Sequence, residues 1–146
     1  HLSFLFMITP KLKDELLKKV LDTGKMRNVS LSPIDVAKEL SVDVCFIVPI
    51  IKQFEDRALL KIVHVGPRNT EIIITLNANA FDLHRLGGFC AEELYLKAKI
   101  ETLLLELEQL QPSLPKTLQE SCNKVINTLN TFIQLSSVFL SEPKGF

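Results

Sequence analysis

The apolar positions change period twice along the chain, from helical to two and back. Leu12, Leu16 and Val20, with Leu17 and Leu21 beside them, recur at helical spacing after Thr9-Pro10, a hydroxyl N-cap followed by proline at the first helical position. Gly24 supplies a left-handed stop, so helix 1 is expected over about residues 10–23. Val29-Ser30-Leu31 reads as a short strand. Ser32-Pro33-Ile34-Asp35 then opens helix 2 as a capping box with Asp in place of Glu, and Ile34, Val36, Ala37 and Leu40 form its expected inner side. Leu40-Ser41-Val42 makes a turn, Asp43 is the expected N-cap of helix 3, and Ile47, Ile50, Ile51 and Phe54 carry that helix to about Arg57.

Beyond it the period falls to two. Leu60–Val65 and Glu71–Leu76 are β-rich runs joined by Gly66-Pro67-Arg68-Asn69-Thr70, a hairpin connection. A short helix is expected over Ala80–Leu86, capped from Asn77 or Asn79 and ended by Gly87-Gly88. The helical period then returns at length. Leu96, Ile100, Leu103, Leu107 and Leu110 follow a 4-3-4-3 spacing within Phe89–Gln111, the seam of helices packed at a shallow angle. Pro112-Ser113-Leu114-Pro115 breaks the pattern, and Leu118, Cys122, Val125, Leu129, Phe132, Ser136 and Phe139 resume it, flanked by Ile126, Ile133 and Leu140. Two such stripes across a four-residue break predict an antiparallel helical hairpin.

The stretch from Ser32 to Leu76 resembles the helix-turn-helix and wing of winged-helix domains, MarR-type and related bacterial regulators in layout. The likeness is carried by Leu40-Ser41-Val42-Asp43, by Ile47, Ile50, Ile51 and Phe54, and by the exit Glu55-Asp56-Arg57-Ala58-Leu59. Gly-Gly-Phe followed by a leucine-rich helix is also similar to small winged-helix proteins of Bacteroides-type bacteria, a likeness that carries no function. The expected fold is therefore mainly α with a small β-hairpin wing: a winged helix over residues 9–88 and a helical hairpin over 89–142.

In the family it resembles, the first half of helix 3 enters the major groove and offers hydrogen-bonding side chains to base edges. Here the corresponding positions are Val44, Cys45, Phe46, Val48 and Pro49, none a strong donor, and Asp43 at their head repels phosphate. Pro49 should also kink the helix or make its first turn irregular. Lys52, Gln53 and Arg68 are the first polar groups able to reach DNA, with His64, Arg85 and the lysines of helix 1 (Lys11, Lys13, Lys18, Lys19) as lesser candidates. The expectation is an interaction module of regulator ancestry, with Val44, Cys45, Phe46, Val48 and Pro49 as its partner-contact face; the alternative is a DNA-binding regulator using backbone contacts from Lys52, Gln53 and Arg68.

Composition narrows the field without choosing. The 146 residues balance 17 basic against 17 acidic side chains, with 12 basic and 10 acidic in residues 1–88, so no broad positive field advertises nucleic acid. Cys45, Cys90 and Cys122 are odd in number and far apart, which argues against a disulfide framework or zinc knuckle and for a reducing cytoplasm; Cys45 is the one expected at the surface. Leu2–Ile8 is apolar but lacks a basic leader and is too short to span a bilayer, and Met7 offers an alternative start. His64 and His84 have no ligand partners at metal spacing, and Glu92-Glu93 and Asp14-Glu15 are adjacent pairs whose carboxylates diverge. No cofactor, no membrane span and no enzymatic chemistry are expected. The second hairpin helix is apolar over a breadth that two helices alone do not enclose, so homodimerisation is expected through Leu96, Ile100, Leu103, Leu107, Leu110, Val125, Leu129 and Phe132.

Overall fold

The structure, a computed structural model, describes residues 8–140, with side chains described to 136; of the apolar arm Leu2–Ile8 only Ile8 lies among the described residues, half-buried against the core. The chain forms two compact units that divide after Phe89. It is mainly helical, with one three-stranded antiparallel sheet and a C-terminal pair of long helices.

In the first unit, α1 (Pro10–Leu21) starts where Thr9 Oγ1 accepts the Leu12 amide at 3.1 Å, the hydroxyl satisfying one of the amides a helix start leaves free. β1 (Val29–Leu31) leads into α2 (Pro33–Leu40), capped by Ser32 Oγ accepting from the Asp35 amide at 3.4 Å. Pro33, Val36 and Ala37 form the buried side of α2. Ile34 faces outward, 52% exposed, and Leu40 is half-buried, so the inner line is narrower than the apolar pattern suggests.

Pro49 governs the next element. Asp43 caps a 3-10 turn over Val44–Phe46, and α3 proper runs Ile47–Asp56. Starting there puts Pro49 third in the helix, where an amide has no partner one turn back, so the proline removes no helical hydrogen bond. The expected N-cap and irregular first turn are thus one feature. α3 ends at Ala58 in the left-handed region (φ 57°), with Leu59 N–H donating to Phe54 O and Ala58 N–H to Glu55 O, both at 2.9 Å, the paired closure of a Schellman motif.

β2 (Leu60–Val65) and β3 (Ile72–Leu76) form the hairpin, around a 3-10 turn at Pro67–Asn69 in which Arg68 and Asn69 both take positive φ. The sheet order is β1-β3-β2, with Val29 opposite Ile74 and Leu31 opposite Ile72; a register shift between Ile62 and His64 bulges edge strand β2 at Val63. Glu55 reaches from α3 to accept the Ile62 amide at 2.7 Å. α4 (Ala78–Arg85) begins two residues earlier than the pattern suggests. Its N-cap residue Asn77 makes no cap with its side chain, which donates to Ala58 O at 2.8 Å and so ties the α3 exit to the β3 exit.

Leu16, Leu17 and Val20 of α1, Ile47, Ile50, Ile51 and Phe54 of α3, and Leu60, Ile72 and Ile74 of the sheet are essentially inaccessible and form one core. Phe89 closes it from the start of α5 (Gly88–Leu110), its ring stacked on Phe54 at 5.4 Å and 13°, with Lys13 and Arg57 over it at 5.3 and 5.1 Å. Asp14 Oδ1 accepts the Phe89 amide at 2.6 Å, an N-terminal cap supplied 75 residues away in sequence. Gly88 is required there twice over: its φ is +74°, and a Cβ would lie 2.2 Å from Asp14 Oδ1.

In the second unit, α5 is followed by a 3-10 turn (Gln111–Ser113) and α6 (Lys116–Leu140). Gln111 bonds Asn123 and Gln119 bonds the Leu114 carbonyl, at 3.1 and 3.0 Å, fastening the turn. The less exposed positions run along one line on each helix: Ile100, Leu104 and Leu107 on α5, and Cys122, Ile126 and Leu129 on α6, with Leu104 and Cys122 each 8% exposed. That line is the inner seam of the pair.

Candidate interaction face

The 3-10 turn and the first turn of α3 project Val44 and Cys45 outward. Helical spacing sets Val48 and Pro49 one turn behind them, and Lys52 and Gln53 a turn further. Val44 is 42% exposed, Cys45 and Pro49 are exposed, and Phe46 and Val48 are half-buried against the core. Val44, Cys45 and Pro49 therefore make the outward side, across the 3-10 turn and the first turn of α3, while Phe46 and Val48 lean on the core between them and Ile47, Ile50 and Ile51 point in.

Asp43 dominates the electrostatics. Its carboxylate accepts the Cys45 amide at 2.8 Å; that bond, and a second from the Cys45 thiol, hold its pKa below the usual carboxylate range. The same hydrogen bond and the negative charge push the Cys45 thiol up, so an exposed cysteine is kept in its neutral form. The head of α3 thus presents a fixed negative charge followed by an uncharged apolar surface.

Lys52, Gln53 and Arg68 are all exposed, the last at the hairpin tip, and His64 and His84 are exposed as well. Of the helix 1 lysines, Lys18 pairs with Asp22 at 3.2 Å, Lys19 pairs with Glu39, and Lys13 lies over the Phe89 ring. Three of the four are thus engaged within the unit. Arg85 lies 3.5 Å from Asp82. Among the described residues no three His, Cys, Asp or Glu side chains come together as a metal would need, and no helix is long and apolar enough to cross a membrane.

The helical pair places the other candidates on two different lines. Ile100, Leu107 and Leu129 belong to the inner seam; Leu96, Leu103, Leu110 and Val125 are 45–52% exposed, and Phe132 is half-buried. Leu104, the most buried leucine of α5, stands outside the 4-3-4-3 stripe, and its adjacency to Leu103 and Leu105 left no periodic signal to single it out. Val63 and Val65 on the edge strand are further exposed apolar side chains, 54% and 41%. The sequence matches no family model, no curated protein and no solved structure.

Proposed function

We propose that the chain is a non-enzymatic interaction module of winged-helix type and regulator ancestry, which binds a protein partner through the start of α3 and works as a homodimer in the cytoplasm. One observation carries the reading: every outward side chain from Val44 to Pro49 lacks a strong hydrogen-bond donor, and the element is headed by a carboxylate. Sequence-specific reading of a base pair needs donors and acceptors in fixed positions, and phosphate approach needs positive charge. A protein surface needs neither; it gains from desolvating valine, proline and aromatic groups, which sit at interface centres. The order of elements and the β1-β3-β2 sheet support the winged-helix layout, and three cysteines outside any disulfide suit a reducing compartment.

A second reading, a DNA-binding regulator with weak sequence discrimination, is favoured by the exposure of Lys52, Gln53 and Arg68 on neighbouring elements. Fluorescence-anisotropy titration with duplex DNA at low and near-physiological salt separates the two. The interaction module shows at most weak binding, unchanged in a Lys52→Glu/Arg68→Glu variant. Tight binding that falls steeply with salt and is lost in that variant would establish the regulator instead.

A further inference from the structure

We infer that the dimer forms through one face of the helical pair, built from three rungs: Leu96 with Phe132, Leu103 with Val125, and Leu110 with Leu118. The inference deepens the homodimer reading and is independent of the α3 face. Side chains on a helix advance by about 100° per residue, which sets Leu96, Leu103 and Leu110 about 80° to one side of the inner seam of α5. The same arithmetic sets Leu118, Val125 and Phe132 about 70° from the inner seam of α6, in the same rotational sense. Because the two helices run antiparallel, an equal sense about each axis brings both stripes to the same side of the pair.

The two stripes have the same spacing. Each α5 residue seven positions further from the turn is matched by an α6 residue seven positions further, so the rungs repeat at roughly 10 Å. Five of the six side chains are 45–52% exposed. The positions between them are the small hydroxyl residues Ser121 and Thr128 on α6 and, of opposite charge, Lys99 and Glu106 on α5, and no charged residue occurs from Val125 to Ser136. The opposite side of α6 carries Asn123, Asn127, Asn130 and Gln134.

A second copy is the occupant this face fits. It presents identical rungs at identical spacing, and a two-fold axis in the interface plane sets the central rung Leu103–Val125 against its own copy whether the axis runs along the helices or across them. Half-exposed side chains of this size leave on the order of 80 Å² each, and with their neighbours the face offers about 500 Å² per copy. The pair thus buries about 1,000 Å², the lower bound of a specific interface.

Sedimentation of the full chain across a concentration series tests this. The expected result is a wild-type mass twice the 16.5 kDa of the chain, a Leu103→Glu variant that is monomeric with dissociation constant raised at least tenfold, and a Leu105→Glu variant that still dimerises. Leu105 is 61% exposed on the other side of α5 and serves as the matched control. Helix content by circular dichroism reports folding of each variant, and Val125→Lys replaces Leu103→Glu if that chain has lost helix. A monomeric wild type, or equal behaviour of the Leu103 and Leu105 variants, would overturn the inference; so would loss of the dimer in Phe46→Asp alone, which would move the interface to α3.

Discussion

Gly88→Ala is the most informative single change in the first unit, because two separate penalties meet there. Holding a residue with a Cβ at φ +74° costs about 1–2 kcal/mol through the backbone alone. The added methyl would also lie 2.2 Å from Asp14 Oδ1, closer than real contacts allow, so the carboxylate has to leave and the Phe89 amide loses its cap, about 1 kcal/mol more. The expected loss is therefore about 2–3 kcal/mol. Gly24→Ala is the control, since Gly24 has φ +72° but no atom within 4 Å of the added methyl, and only the backbone cost of about 1–2 kcal/mol applies. Asp14→Ala alone should cost at least about 1 kcal/mol, and less on the Gly88→Ala background than in the wild type, because the cap is already gone there. Urea denaturation followed by far-UV circular dichroism, compared at unchanged m, reads all four variants. Costs that add to within about 0.5 kcal/mol, or a Gly88 variant no worse than the Gly24 one, would refute the reasoning.

Two other consequences can be checked directly. Ala58 sits at φ 57° in the closure of α3, so Ala58→Gly should raise the urea midpoint, by about 1 kcal/mol of stability; an unchanged or lower midpoint contradicts the assignment of strain there. Asp43 keeps the Cys45 thiol protonated above its ordinary range, so alkylation mapped by mass spectrometry at pH 8 should be slower at Cys45 than for a free cysteine despite its exposure, and Asp43→Asn should accelerate it. Equal rates in the two proteins would show that the carboxylate does not control the thiol. The sign for Asp43 itself follows from its lowered pKa: what the charged carboxylate contributes to the turn is present above the ordinary carboxylate range and lost as pH falls through the lower folded value.

The elements of the first unit were legible because their ends are written locally. Thr9-Pro10, Ser32-Pro33 and Asp43 are caps whose partners lie two or three residues away, and the hairpin strands follow from a period of two. What the local pattern does not carry is long-range. Nothing near Gly88 in sequence announces that Asp14 will cap the helix beginning there, and Gly87-Gly88 reads as a simple stop until that carboxylate is placed. Ile34 has the spacing of an inner residue and points outward, because an eight-residue helix packed on one side needs only Pro33, Val36 and Ala37.

The helical pair shows the same limit in its most consequential form. Leu103, Leu104 and Leu105 are consecutive, so a leucine is available for the inner seam, the outer rung and the opposite side alike, and periodicity along α5 does not choose among them. The choice is made by the partner helix. On α6 Cys122 and Ser136, two small residues on one line, are both buried. With that line turned inward, Leu104 is the leucine of the three that is buried, and Val125, three positions beyond Cys122, rotates out as Leu103 does. An apolar stripe that looks single in the sequence is thus two lines in the structure, one spent within the hairpin and one left over. Because the leftover line stands on both helices at matching spacing, its exposure is a property of the pair, and a single exposed charge at Leu103 should remove association without touching the seam that holds the hairpin together.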